Sequence, residues 1–240
     1  MAIRGILFDK DGTLLDFNAT WVPANRAVAR MVANGDEGLA LRLLEAGGQD
    51  DATGTVKPGS LLAASDIGVI AEVWGELAPD HGQSDLVGMM DEIFQREGAI
   101  SSAPIDGLAN TINSLKEHGL TLGIATNDSE AGARVTLAPF DVLHNFDFLA
   151  GYDSGHGAKP GPGMVHGFCA SCDLEVHEVV VVGDNRHDLE MGRNAKAGMV
   201  VGVLSGTSAR GDLETLADHV MENIGGLEEL LGLSTVVDLA

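Results

Sequence analysis

Ile3-Arg4-Gly5-Ile6-Leu7-Phe8-Asp9-Lys10-Asp11-Gly12-Thr13-Leu14 is an apolar run that ends in two carboxylates one residue apart, with a glycine directly after them. Such a run, bounded by a turn signal, is expected to be a buried strand. Asp9 and Asp11 then stand at its carboxyl end, where open α/β sheets place their ligand sites. Two carboxylates this close repel unless they share a proton or face a cation, and a hard, oxygen-seeking ion such as Mg²⁺ is the simplest relief. Gly12 lets the backbone turn sharply and approach a bound anion. An ordinary D-x-D-G turn closing a strand would look the same, so the rest of the chain decides.

A second run, Val179-Val180-Val181-Val182-Gly183-Asp184-Asn185-Arg186-His187-Asp188, repeats the pattern. Its G-D-x-x-x-D spacing sets Asp184 at a strand tip and Asp188 about one helical turn further on. Carboxylates gathered at one edge again call for a cation, and with only waters besides they suit octahedral Mg²⁺ better than zinc, which prefers His or Cys. His187 is expected to be a solvated helix residue. Between these runs, the strand from Leu120 ends in Thr126-Asn127-Asp128. The threonine hydroxyl can donate to a phosphate oxygen there, although T-N-D is equally a good helix N-cap. Lys159 lies in Gly157-Ala158-Lys159-Pro160-Gly161-Pro162-Gly163, whose prolines and glycines fix an irregular loop; a lysine so clamped can act as a point charge on phosphate and carboxylates.

From Asn18 to about Gly98 the periodicity is helical, in pieces Trp21 to Val32, Leu39 to Ala46, Ser65 to Leu77 and Asp85 to Glu97, with no strand expected. Alternation then resumes: helix Leu108 to His118, strand Leu120 to Thr126, helix near Ser129 to Leu137, a short apolar segment near Phe146 to Gly151, helix Pro162 to Cys172, strand Val179 to Gly183, helix Leu189 to Ala197 and strand Met199 to Leu204. A last short strand near His219 to Met221 and a helix Leu227 to Leu231 complete the pattern. Repeating strand-helix units imply a doubly wound parallel sheet with helices on both faces. The expected organisation is a core of residues 1–17 and 99–240 with an all-helical cap, residues 18–98, hanging over the carboxyl ends of the strands as a mobile lid.

With 14 basic against 36 acidic residues and a formal charge of −22, the surface disfavours nucleic acid and anionic membranes as partners. A small anionic substrate stays possible where a metal, one lysine and backbone N–H groups reverse the potential locally. The sequence carries no charged-then-apolar leader and no membrane-length apolar run, so a cytoplasmic protein, monomer or homodimer, is expected. Cys169 and Cys172 are expected to be two small buried thiols on one helix face.

D-x-D-G-T, then T-N, then K-P, then G-D-x-x-x-D, in that order and each at a strand end or the following loop, closely resembles the haloacid dehalogenase-like (HAD) superfamily over essentially the whole chain. It looks most like the phosphatase branch with a helical C1-type cap, of which phosphoglycolate phosphatase is a type. The resemblance implies an Mg²⁺-dependent phosphomonoester hydrolase acting on a small phosphorylated metabolite, with 2-phosphoglycolate one possibility. Asp9 would be the nucleophile that forms an aspartyl-phosphate, and Asp11 the general acid and then base. Thr126 and Lys159 would hold the phosphoryl group, with Asn127 and the backbone N–H groups of Lys10, Asp11 and Gly12 as further contacts. Asp9, the Asp11 carbonyl and Asp184 would bind Mg²⁺, supported by Asp188.

Phosphoglycolate phosphatases often read D-x-D-G-T-L-x-D-S and G-D-S, whereas Asp16-Phe17 and Asp184-Asn185 stand here, so the named substrate does not follow. Trp21, Arg26 and Lys57 are the cap residues singled out for specificity. Asp11 argues against a dehalogenase or phosphonate hydrolase of the same fold, which need no acid there. A β-phosphoglucomutase-like phosphotransferase or a non-catalytic phospho-ligand-binding protein are the alternatives.

Overall fold

The computed structural model describes residues 2–80, 82 and 84–233. Strand β1 (Gly5–Phe8) leads into an insert made of α1 (Phe17–Val32), α2 (Glu37–Gly47), a small hairpin of β2 (Gln49–Asp50) and β3 (Thr55–Val56), α3 (Leu61–Ala64), α4 (Ile67–Leu77) and α5 (Leu86–Ser101). Alternation then resumes through α6 (Leu108–Glu117), β4 (Thr121–Ala125), α7 (Glu130–Leu137), β5 (Phe148–Ala150), α8 (Gly163–Cys172), β6 (Val179–Gly183), α9 (Arg186–Ala195), β7 (Met199–Val203), α10 (Arg210–Leu213), β8 (His219–Met221) and α11 (Leu227–Leu230).

The six main strands form one parallel sheet in the order β5-β4-β1-β6-β7-β8. Leu7 faces Gly123 of β4 on one side and Val181 of β6 on the other. Side chains alternate between faces along each strand. Ile6, Phe8, Val180 and Val182 pack with Ile112 and Leu115 of α6 and Leu227 of α11. Leu7, Val179 and Val181 pack against Val165 and Phe168 of α8 and Met191 of α9. Both faces are therefore covered, which is why these strands read as continuous apolar runs. Each fully buried Val or Leu contributes about 1.5–3 kcal/mol relative to exposure. The chain winds outward from β1 in both directions, so the crevice of the doubly wound sheet lies above the ends of β4, β1 and β6.

The insert begins and ends at one tied neck. Asp16 accepts from the Ala19 N–H and so caps α1, while its own N–H donates to the Ala103 carbonyl at 2.9 Å. Leu15 bridges to both Asp11 and Pro104, and Thr20 Oγ1 accepts from the Ala103 N–H. The insert has its own apolar core around the fully buried Trp74, with Val28, Leu43 and Met90. Trp21 and Phe94 meet edge to face at 5.9 Å where α1 packs on α5.

Four expectations are corrected. The insert holds the β2–β3 hairpin, whose two-residue strands are too short to show a period. Helix α1 starts at Phe17 rather than Trp21, because Asp16 supplies the cap. Helix α9 starts at Arg186 rather than Leu189, because Asn185 caps it and Asp188 closes the capping box. The N-cap of α7 is Ser129, whose Oγ accepts from the Gly132 N–H, and not the T-N-D segment before it. Cys169 is buried, Cys172 half-buried, and both are free thiols on α8. Among the described residues no helix is long and apolar enough to cross a membrane.

Candidate active site

Three strand ends deliver the acids and the hydroxyl. The Asp9 N–H donates to the Val182 carbonyl and the Thr126 N–H to the Ala150 carbonyl, so sheet hydrogen bonding extends to the first residue past β1 and β4. Gly12 turns the chain with φ +91°, and a Cβ on it would lie 2.6 Å from Asp184. Only glycine fits there without pushing Asp184 aside. The loop after β7 closes from the other side: Ser205 Oγ donates to the Gly12 carbonyl at 2.8 Å, and the Thr207 N–H to Asp184 Oδ2 at 2.8 Å.

At the floor, Asp9, Asp184 and Asp188 each offer an oxygen within 4.8 Å of one another, all buried. Lys159 Nζ donates to Asp9 Oδ1 at 2.5 Å and to Asp188 Oδ1 at 2.6 Å. One lysine does not balance three carboxylates. Burial, then the fields of Asp9 and Asp188, hold the Asp184 carboxyl well above the usual carboxylate range. Burial and Asp9 push Asp188 up to about 6 even though Lys159 pulls it down. Burial disfavours the Lys159 charge, yet Asp188 and Asp9 more than offset it and keep the ammonium above the ordinary lysine range. Asp9 Oδ2 is buried and has no hydrogen-bond partner. An excess of buried carboxylate oxygens, one of them orphaned, fits a hard divalent cation. The Asp11 side chain is not in this cluster.

Asp11 instead belongs to a second charge group that sequence reasoning missed. Lys10, fully buried, puts Nζ 2.8 Å from Asp11 Oδ1, 2.7 Å from Asp11 Oδ2 and 3.1 Å from Asp128 Oδ2. The same ammonium lies 4.8 Å from the centre of the Trp21 ring, and the Trp21 indole N–H donates to Asp11 Oδ1 at 2.7 Å. Burial raises the Asp11 carboxyl to about 6, with Lys10 opposing and Asp128 and Asp9 adding to the rise. Burial opposes the charge on Lys10, but Asp11 and Asp128 raise its pKa on balance. A lysine at the end of an apolar strand, flanked by two acids, is the signal that could have revealed this group.

The remaining residues divide sharply. The Thr126 hydroxyl oxygen accepts from the Asp128 N–H, which leaves its O–H available to donate. Asn127 is a strut: Oδ1 accepts from the Lys159 N–H and Nδ2 donates to the Ala64 carbonyl of the insert. His187 is half-buried and lines the cleft, with Nδ1 buried and unpaired, so the expectation of a solvated residue is corrected. Of the three cap candidates only Trp21 reaches the cleft. Arg26 is tied to Asp51 at 2.5 Å and Lys57 is an exposed loop residue, and neither lines it. The cleft, open to solvent, lies between the strand ends and α1, α3, α4 and α5.

A family model described as haloacid dehalogenase-like hydrolase matches residues 3–196. The chain belongs to the haloacid dehalogenase-like hydrolases. Within that family it is 26% identical over 195 residues to the N-acetylmuramic acid 6-phosphate phosphatase of Pseudomonas putida, covering 81% of this chain and 80% of the other. It is 29% identical over 188 residues to a phosphoglycolate phosphatase of Cereibacter sphaeroides, covering 77% and 78%. The crystal structure of a predicted phosphoglycolate phosphatase from Haemophilus somnus superposes with a TM-score of 0.71 at 18% identity, covering 95% of this chain and 97% of that one. That last likeness concerns the fold. The family assignment and these relatives make this hydrolase a phosphatase of small phosphorylated substrates.

Proposed function

We propose that the protein is an Mg²⁺-dependent phosphomonoester hydrolase working through an aspartyl-phosphate on Asp9, in the cytoplasm, with residues 18–98 as cap over a core of 1–17 and 99–240. The observation that carries this reading is the orphaned, buried Asp9 Oδ2 beside Asp184 and Asp188, with Lys159 tied to the other Asp9 oxygen. Asp9, Asp184 and Asp188, together with the Asp11 carbonyl, would hold Mg²⁺. When bound, the ion supplies positive charge against which a carboxylate can approach an anionic phosphoryl group.

The Asp9 carboxylate attacks phosphorus, and the bond from phosphorus to the leaving oxygen breaks as Asp11 delivers its proton to that oxygen. Water then attacks the phosphorus, Asp11 takes the water's proton, and the bond to Asp9 breaks to release inorganic phosphate. The same residue must therefore be an acid and then a base. A carboxyl held at about 6 supports both roles, because about a tenth of it is protonated at pH 7 and either form is reached cheaply. Lys159 neutralises the phosphoryl oxygens and keeps Asp9 in place. The Thr126 O–H and the backbone N–H groups of Lys10 and Asp11 complete the cradle, whereas the Gly12 N–H, expected there from the sequence, donates to the Leu15 carbonyl at 2.7 Å; Asn127 fixes the Lys159 loop.

The test is phosphate release with Mg²⁺ from a panel of sugar phosphates, nucleoside monophosphates, 2-phosphoglycolate and p-nitrophenyl phosphate, with Asp9→Asn beside the wild type. Turnover abolished by EDTA and by Asp9→Asn, with a phosphoryl adduct mapped to Asp9 in quenched wild type, is expected. Turnover that persists in Asp9→Asn would overturn the mechanism.

A further inference from the structure

Resting on that reading, we infer that the substrate is a phosphomonoester whose alcohol bears no carboxylate and is either uncharged or cationic. The phosphoryl group has its counter-charges at the floor, so the opposite wall meets the leaving group. That wall is apolar: Phe17 and Trp21 from α1, Leu62 from α3, Ile67 and Ile70 from α4, and Phe94 from α5 line it. Its polar interruptions are Asn25, whose Nδ2 is committed to Gln49 at 2.9 Å, Ser65, and Asp91 on α5.

Charge decides the class. Six aspartates line the cleft, Asp9, Asp11, Asp91, Asp128, Asp184 and Asp188, against Lys159 alone among lysines and arginines of the described residues. Lys159 is engaged by Asp9 and Asp188, and Lys10 beneath the surface by Asp11 and Asp128. His187, the one histidine on the lining, stands at the start of α9 on the core side. A carboxylate on the leaving group would thus meet no free cation on the cap side and would face Asp91. Asp91 has acceptors only: Oδ2 takes a hydrogen bond from Gln95 at 2.7 Å and Oδ1 one from Ser129 Oγ, the N-cap of α7, at 3.3 Å. Neighbouring groups report the same potential. Burial and then Asp128 raise the Asp91 carboxyl, and burial followed by Asp91, Asp153 and Asp128 raises the Tyr152 hydroxyl on the lining.

Four esters test the charge: phenyl phosphate, propyl phosphate, O-phosphoethanolamine and 2-phosphoglycolate, the last two alike in size and opposite in terminal charge. With the Mg²⁺-loaded enzyme, kcat/KM for each of the first three is expected to exceed that for 2-phosphoglycolate by roughly tenfold or more, the scale of one uncompensated like-charge contact. Calorimetric binding to Mg²⁺-loaded Asp9→Asn, which needs no turnover, is expected to give the same order. Asp91→Lys should narrow the gap in favour of 2-phosphoglycolate. An equal or better result for 2-phosphoglycolate, in turnover or in binding, overturns the inference. If no ester is hydrolysed but the binding order holds, the phosphatase reading fails and the charge selection of the cleft stands. Binding of none of the four overturns both.

Discussion

Replacing Lys10 with methionine keeps the length of the buried stem and deletes its charge. The ammonium is within 3.1 Å of Asp11 and Asp128 and 3.4 Å from Thr136 Oγ1, and its side chain is inaccessible to solvent. Removing one partner of a buried ion pair costs about 3–5 kcal/mol, because the remaining charge stays desolvated. The Asp11 and Asp128 side chains are each 15% exposed, and Asp11 already titrates near 6, so water and protonation relieve part of the loss. We therefore expect the low end, about 3 kcal/mol at pH 7, or a fall in Tm of roughly 6–12 °C for a chain of this size. Lys10 has its pKa raised on folding, so its contribution is fully present at pH 7 and is lost only as the pH climbs through the folded value. Without Lys10 to lower it, Asp11 takes up its proton at a higher pH than in the wild type, so the deficit of the variant should shrink as the pH falls towards about 6 and level off below it, where Asp11 is protonated in both. Adding Asp128→Asn removes one of the two stranded acids and should recover about 1–2 kcal/mol, a coupling measurable by a double-mutant cycle. Urea unfolding followed by far-UV circular dichroism, without metal, reads all of this. A deficit under about 1 kcal/mol, or additive single and double variants, would refute the role of Lys10 as the counter-ion that holds the acid.

Gly12→Ala puts a methyl group against Asp184 at a φ that L side chains rarely adopt, so we expect a loss of about 1–3 kcal/mol in thermal stability together with a large rise in the Mg²⁺ concentration needed for half-maximal activity. Unchanged metal dependence would show that Asp184 is not positioned by this close approach. Asp218 accepts from the Val200 N–H and from both terminal nitrogens of Arg193. Although partial burial works against its charge, these hydrogen bonds hold its carboxyl below the usual value of 3.8, so its stabilisation is present above that pH and lost as the pH falls through the folded value. Asp218→Ala should accordingly cost about 1–2 kcal/mol at pH 7 in chemical denaturation, with a smaller difference from wild type near pH 3.

The amino-acid sequence by itself determined the sheet and the acids at its edge. A strand buried on both faces must be apolar at every position, so β1 and β6 stand out, and residues that break such runs fall at strand tips. Asp9, Asp184 and Thr126 were legible for that reason, whereas Lys159 stood out through the prolines and glycines that fix its loop. Local capping chemistry was harder to read. Thr126 and Ser129 both lie just ahead of α7, and only the closed hydrogen bond to Gly132 distinguishes the cap. The β2–β3 hairpin has too few residues per strand to leave a periodic trace.

What only the tertiary structure decided is which charges share a cavity. Arg26 and Lys57 are as basic in the sequence as Lys10, yet Arg26 is spent on Asp51, Lys57 faces solvent, and Lys10 is sealed beneath Asp11, Asp128 and the Trp21 ring. The raised Asp11 carboxyl, the strut formed by Asn127 and the uncompensated Asp91 on the cap wall all arise from residues far apart in the chain. Electrostatic energy and desolvation depend on distance and burial, and neither is a property of sequence order. Periodicity reports which side of one element faces the core, whereas the partner brought against that side is chosen by the packing of the insert over the sheet.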